Sequence, residues 1–265
     1  MNFCLRCLCL TLTGIVVLAI SACSTSVERS LAKGDLSPGL MEIVGGEPIA
    51  DRSEVAKSVV ALVSASRRGE ALCTGTLLSG EVVLTAAHCV EGHLSKLAIV
   101  FSNNVNSADA RNVRFADGFI QHPGWSRRRP EDRGDLALIH FTGGIPNGYK
   151  AVELAAGGFI PARGKEVLLV GYGVQDGLRR SGSGRLRETT SFILGSASRT
   201  EVFTDGTRSG VCFGDSGGPG FAIQGSKLVQ WGIASSVTSS TCHSQSVHTL
   251  ISPYQNWIEE TIAKF

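Results

Sequence analysis

From Ile43 onward the chain is broken into short apolar runs, at 55–63, 72–78, 82–87, 97–101, 136–141, 167–170 and 228–234. Gly, Asn, Ser or Pro punctuates nearly every gap between them. Runs of that length suit buried or half-buried strands and are too short to bury a helix face. Turn residues at such close spacing supply the reversals that antiparallel strands need. One segment departs from the pattern. At the end of the chain Ser252 stands as a cap, Pro253 fits a first helical position, and Trp257, Ile258 and Ile262 give a helix one packing face. No internal repeat is visible. The pattern predicts an all-β barrel or sandwich closed by a C-terminal helix.

The first 22 residues follow other rules. Arg6 precedes an apolar core from Leu8 to Ile20, and the small residues Ser21 and Ala22 follow. That layout is an export signal, with a core short for a membrane span. The ending Ile20-Ser21-Ala22-Cys23 resembles a bacterial lipobox, in which Cys23 is acylated and becomes the first residue; the alternative is an ordinary signal or an uncleaved anchor with a chance cysteine. Cysteine arithmetic favours acylation. Without the signal, Cys23, Cys73, Cys89, Cys212 and Cys242 remain, an odd number that needs an explanation in an exported chain. With Cys23 lipidated, four are left for two disulfides in an oxidising compartment, and more than one acyl chain would hold the protein on a membrane. Residues 23–42 lack any apolar period and read as a flexible tether that would also serve as a propeptide. The net charge of +2 gives no argument for a nucleic-acid partner.

"CFGDSGGPG", residues 212–220, carries the strongest chemical signal. A serine is a poor nucleophile until a base takes its proton and donors receive the developing oxyanion. Glycines flanking Ser216 let the backbone turn sharply and approach a substrate. A Gly-rich turn is the plain alternative, but two further stretches supply the missing partners: "LTAAHC" at 84–89 places His88 at a strand end, and "GDLALIHF" at 134–141 opens another strand with Asp135.

Taken together, IVGG, TAAHC, DLAL and GDSGGP resemble the trypsin-like (chymotrypsin-fold) serine proteases over residues 43–265. The resemblance implies two six-stranded antiparallel β-barrels with the active site between them and a protein or peptide substrate. It casts Ser216 as nucleophile, His88 as base and then acid, and Asp135 as the group fixing the imidazole tautomer. The amides of Gly214 and Ser216 would form the oxyanion hole. It also pairs Cys73 with Cys89 and Cys212 with Cys242. A zinc site is the rival reading of these cysteines, disfavoured because they lack C-x-x-C spacing. No metal, no cofactor and a monomer are expected.

For specificity, the resemblance places Gly210, Val211, Ser235, Val237, Ser246 and His248 around the primary pocket. Trypsins carry Asp where Gly210 stands, so Lys or Arg would enter without a partner charge. Val237 and Ser246 favour a small aliphatic residue before the scissile bond; His248 raises the competing idea of Glu. The basic run 127–133 reads as a solvated loop or as a rim attracting acidic peptides. Finally, cleavage before Ile43 is expected to free an amino terminus that pairs with Asp215 and activates the enzyme. Glu42, at the cut, is unlike the Arg or Lys of many relatives, which demands either Glu acceptance or an outside activating protease. A cut there would also release the domain from Cys23. The competing functions are a catalytically silent surface-binding homologue and an esterase with the same triad.

Overall fold

The computed structural model describes residues 43–50, 53–66, 69–91 and 96–265. The signal at 1–22, Cys23, the tether and Glu42 lie outside the described residues.

Among the described residues thirteen strands follow in order: β1 (Glu47–Pro48), β2 (Val59–Ser66), β3 (Gly69–Leu77), β4 (Val82–Thr85), β5 (Lys96–Val100), β6 (Val113–Gln121), β7 (Ala137–Phe141), β8 (Glu166–Gly171), β9 (Arg187–Ser196), β10 (Glu201–Asp205), β11 (Pro219–Gln224), β12 (Lys227–Val237) and β13 (Gln245–Leu250). Strands β2-β3-β4-β7-β6-β5 close into one antiparallel barrel. Strands β8-β9-β10-β13-β12-β11 form the second, closed by the β8–β9 pairing, with β1 added against β9. Closure removes the exposed edges that an open sheet of this size would leave. The expected pair of six-stranded barrels is what the chain forms.

Sequence alternation explains how each strand faces two ways. In β2, Val60 and Leu62 point into the first barrel with Val83, Ile99 and Ile139. Val59 and Ala61 point the other way, packing with Tyr172, Leu168 and Phe221 of the second barrel. Both faces of β2 are therefore dry, which is why it reads as an unbroken apolar run. The interior of the second barrel is built on Leu169, Val202 and the fully buried Trp231.

The terminal helix α1 (Gln255–Ile262) follows a short 3-10 turn at Ser252–Tyr254. Ser252 sits inside that turn and makes no capping hydrogen bond, which corrects the expectation drawn from its residue type. The packing face is as expected: Trp257, Ile258 and Ile262 lie against Leu84 and Leu138 of the first barrel and Ile233 of the second. Helix α1 thus closes the seam at one end.

Candidate active site

The cleft between the barrels, about 300 Å³, is lined by His88, Asp135 and Ser216 together with Trp125, Phe213 and Val237. The first two come from the first barrel and the serine from the second. His88 lies in a one-turn 3-10 helix, Ala87–Val90, directly after β4. Asp135 is two residues before β7, which pairs with β4, so the ladder between these strands brings the two residues together. The contact is close: Asp135 Oδ2 lies 2.8 Å from His88 Nδ1, and the His88 amide donates to Oδ1 at 3.0 Å.

Asp135 is 1 % exposed. Burial alone pushes its carboxyl up, but the His88 imidazole and the hydroxyl of Ser235 outweigh that effect and hold it below the ordinary carboxylate range. Ser235 Oγ donates to Oδ2 at 2.6 Å. An ionised Asp135 can only accept, so Nδ1 carries the proton and Nε2 is left as the base.

The Ser216 loop is fixed from the opposite barrel. Thr74 of β3 donates its amide to the Ser216 carbonyl at 2.8 Å and its hydroxyl to the Gly214 carbonyl at 2.9 Å. Gly217, at φ +84°, passes so close that a Cβ would lie 2.0 Å from Thr85 Oγ1 and 2.3 Å from the Thr74 carbonyl. Only glycine fits there. The amides of Asp215, Gly217 and Gly218 all have backbone acceptors. Among the described residues those of Gly214 and Ser216 have none, which leaves two donors free beside the serine. With His88 and Ser216 lining one cleft, the two amides are placed to stabilise an oxyanion formed next to the serine.

Both expected disulfides are present, Cys73–Cys89 and Cys212–Cys242. The first braces the turn holding His88 against β3, and the second ties the serine loop to the segment after β12. Among the described residues, potential ligand atoms of Cys73, His88 and Cys89 lie within 4.8 Å of one another, a grouping that revives the zinc reading. Two sulfurs joined in a disulfide cannot serve as thiolate ligands, so the reading fails.

Beneath the cleft, Asp215 is fully buried and its oxygens accept from the amides of Gly173 and Cys212, each at 2.7 Å. A Cβ on Gly173 would come within 2.4 Å of the same carboxyl. Burial raises the Asp215 pKa to about 7, although the two amides and, more weakly, the Arg187 charge pull it down. Ile43 and Val44 are also buried. Val44 accepts from the Gly210 amide at 3.0 Å and packs beside Cys212, whose amide binds Asp215.

The expected pocket residues divide. Val211, Ser235 and Val237 line the cleft. Gly210, Ser246 and His248 do not. A Cβ on Gly210 would be 3.5 Å from Ser246 Oγ, and Ser246 is itself fully buried. His248 faces the interior of the second barrel, its ring 5.4 Å from that of Trp231 and its Nε2 2.9 Å from Thr204 Oγ1. Burial lowers its pKa to about 3, so it stays neutral and presents no charge to a substrate. Trp125 also lines the cleft and escaped the sequence reading, whereas Arg127 and Arg133 come from the basic run read as a solvated loop or a rim, and both stand at the cleft.

A two-barrel fold with a buried Asp–His pair and a serine in the same cleft is an arrangement suited to nucleophilic attack. The family model for Trypsin matches residues 43–258. The chain belongs to the trypsin family of serine proteases. It is 29 % identical over 210 residues to chymotrypsin-like elastase family member 1 of Felis catus, covering 72 % of this chain and 79 % of that protein. Granzyme M of Homo sapiens is 28 % identical over 261 residues, covering 92 % and 99 %. Trypsin alpha of Drosophila melanogaster is 24 % identical over 217 residues, covering 75 % and 82 %. Proteins or peptides are the substrates of such a family.

Proposed function

We propose that the chain is an exported serine endopeptidase that is made inactive and switched on by cleavage before Ile43. The observation that carries the catalytic reading is the hydrogen-bonded run Ser235–Asp135–His88 beside Ser216 and its two free amides. Ser216 Oγ attacks the scissile carbonyl carbon while its proton passes to His88 Nε2. The tetrahedral oxyanion takes the amides of Gly214 and Ser216. His88 then returns the proton to the leaving amine as the carbon–nitrogen bond breaks, and water hydrolyses the acyl-enzyme by the same route.

Activation follows from Asp215. A carboxylate buried with amide donors alone is unfavourable, and an ammonium beside it would relieve that cost. The burial of Ile43, and of Val44 next to Cys212, supports a freed Ile43 amino group as that ammonium. For specificity, Val237 on the cleft wall supports a small aliphatic residue before the scissile bond, in keeping with relatives named elastases. The glutamate alternative rested on His248, whose neutral and buried ring gives it no support. Glu42 therefore calls for an outside activating protease. Lipidation of Cys23, a membrane anchor and a bacterial source are proposed on the Ile20–Cys23 motif, with the two disulfides in keeping with an oxidising compartment.

A fluorophosphonate probe tests the enzyme. The processed domain should label, and Ser216→Ala should not; absence of Ser216-dependent labelling overturns the reading in favour of a silent binding homologue. Detergent-phase partitioning that is lost in Cys23→Ser tests the anchor, and unchanged partitioning overturns it.

A further inference from the structure

Arg133 lines the same cleft as Ser216 and His88, yet bond cleavage has no use for it. We propose that Arg133 is a specificity-determining contact that selects peptides with an acidic side chain two to four residues before the scissile bond. The proposal rests on the protease reading above.

Its placement is built. The backbone amides of Asp132 and Arg133 donate to Glu201 Oε2 and Oε1 at 3.1 and 3.3 Å, and Glu201 is 2 % exposed. The Arg133 carbonyl accepts from the Ser126 amide at 3.0 Å. A buried carboxylate on the second barrel thus clamps a loop of the first. The guanidinium is then spread by neutral acceptors only: Nε to the Arg129 carbonyl at 3.2 Å, Nη2 to the Pro130 carbonyl at 3.4 Å and Nη1 to Ser236 Oγ at 3.3 Å.

The nearby carboxylates are engaged elsewhere. Asp132 accepts from Thr200 and pairs with Arg199, and the Ser198 and Thr200 hydroxyls help hold its pKa at about 2. Glu131 lines a separate groove with Asp132, and Glu91 pairs with Arg127. Arg133 makes no ion pair among the described residues. A cation held in place by carbonyls and a hydroxyl keeps its charge for a partner that arrives from outside.

The neighbouring strand says where that partner comes from. Ser236 and Val237 of β12 pair with β13 on one side. On the other side the β11 ladder ends at Ile233, and Ala234 is closed off by Gly217 and Gly218. Ser235–Val237 is therefore an open edge facing the cleft, to which an extended peptide can add as a strand. Peptide residues advance about 3.3 Å each and alternate sides. A peptide with its reacting carbonyl at Ser216 that runs back along this edge passes Arg133 within its next few residues.

The test uses the processed enzyme and paired peptides with Val before the scissile bond, carrying Glu or Gln at the second, third or fourth residue before it. At one of these positions kcat/KM for Glu should exceed that for Gln by about tenfold, as expected for a charge-assisted hydrogen bond. The ratio should shrink as salt is raised. Arg133→Gln should bring the ratio close to one, and Arg133→Lys, which keeps the charge without the fork, should retain part of it. Arg128→Gln, a charge loss in the same loop at an exposed site outside the cleft, should leave the ratio unchanged. Equal kcat/KM for Glu and Gln peptides in a wild-type enzyme that cleaves both overturns the proposal alone. An equal loss of the ratio in Arg128→Gln also overturns it, in favour of long-range attraction. A wild-type enzyme that neither labels nor cleaves overturns the protease reading and the proposal with it.

Discussion

Ser235 shows how much one hydroxyl contributes to a buried charge. Its bond to Asp135 offsets part of the burial that opposes ionisation, and without it the carboxyl should titrate higher. In Ser235→Ala the Asp135 carboxyl, followed by its own NMR titration, should move to higher pH. A carboxyl titration left in place would show that His88 alone holds Asp135. Gly173 makes the complementary point about space. In Gly173→Ala the added methyl would press on the Asp215 carboxyl, costing about 2–3 kcal/mol of stability by overpacking, to be read as a lowered denaturant midpoint. At this scale the sequence was most legible where chemistry forces residue identity, as at His88, Asp135 and the glycines around Ser216. It was least legible where a side chain's role depends on which way a strand faces. His248 is the example: alternation along β13 turns it into the barrel, and no local pattern reveals that.

Among the elements, the disulfides act on particular loops. Cys73–Cys89 closes a span of 16 residues and braces the His88 turn, so Cys73→Ser with Cys89→Ser should cost about 3 kcal/mol by loop-closure reasoning. The denaturant midpoint measures that loss, and probe labelling should fall with it as the imidazole loosens. Strands β2, β4, β7 and β8 were readable because they are apolar on both faces or nearly so. Strands β6, β9 and β13 were not, since they mix polar residues such as Arg114, Thr189 and Gln245 into a pattern that a single sequence cannot separate from loop. The helix was readable, but its start was not. A 3-10 turn around Pro253 takes the place of a capped helix, because Pro fits that turn without needing its missing donor.

For the whole molecule, the proposed activation would make the effect of processing depend on pH through Asp215. In the uncut chain its pKa is about 7 against an ordinary 3.8, so between those values the fold keeps a proton that the unfolded chain has lost. Stability should therefore fall as pH rises from about 4 to about 7, by about 4 kcal/mol in all, and level off above. The proposed pairing with a freed Ile43 ammonium would lower the folded pKa and remove that slope. Melting curves of Ser216→Ala protein, cut and uncut, from pH 4 to 8 provide the check. The cut form should gain roughly 10 °C over the uncut form at pH 7.5 and little at pH 4.5. Identical curves would exclude the pairing.

The hydrogen bonds that Thr74 makes to the serine loop have one more consequence. His88 and Ser216, the proposed base and nucleophile, are carried by different halves of the chain, and their separation is set by contacts crossing the seam. Catalysis therefore works as a gauge of how the two halves are docked. Small slippage along the seam would silence the enzyme while both barrels kept their strands, so its tolerance to heat should be set by an internal joint before it is set by either core.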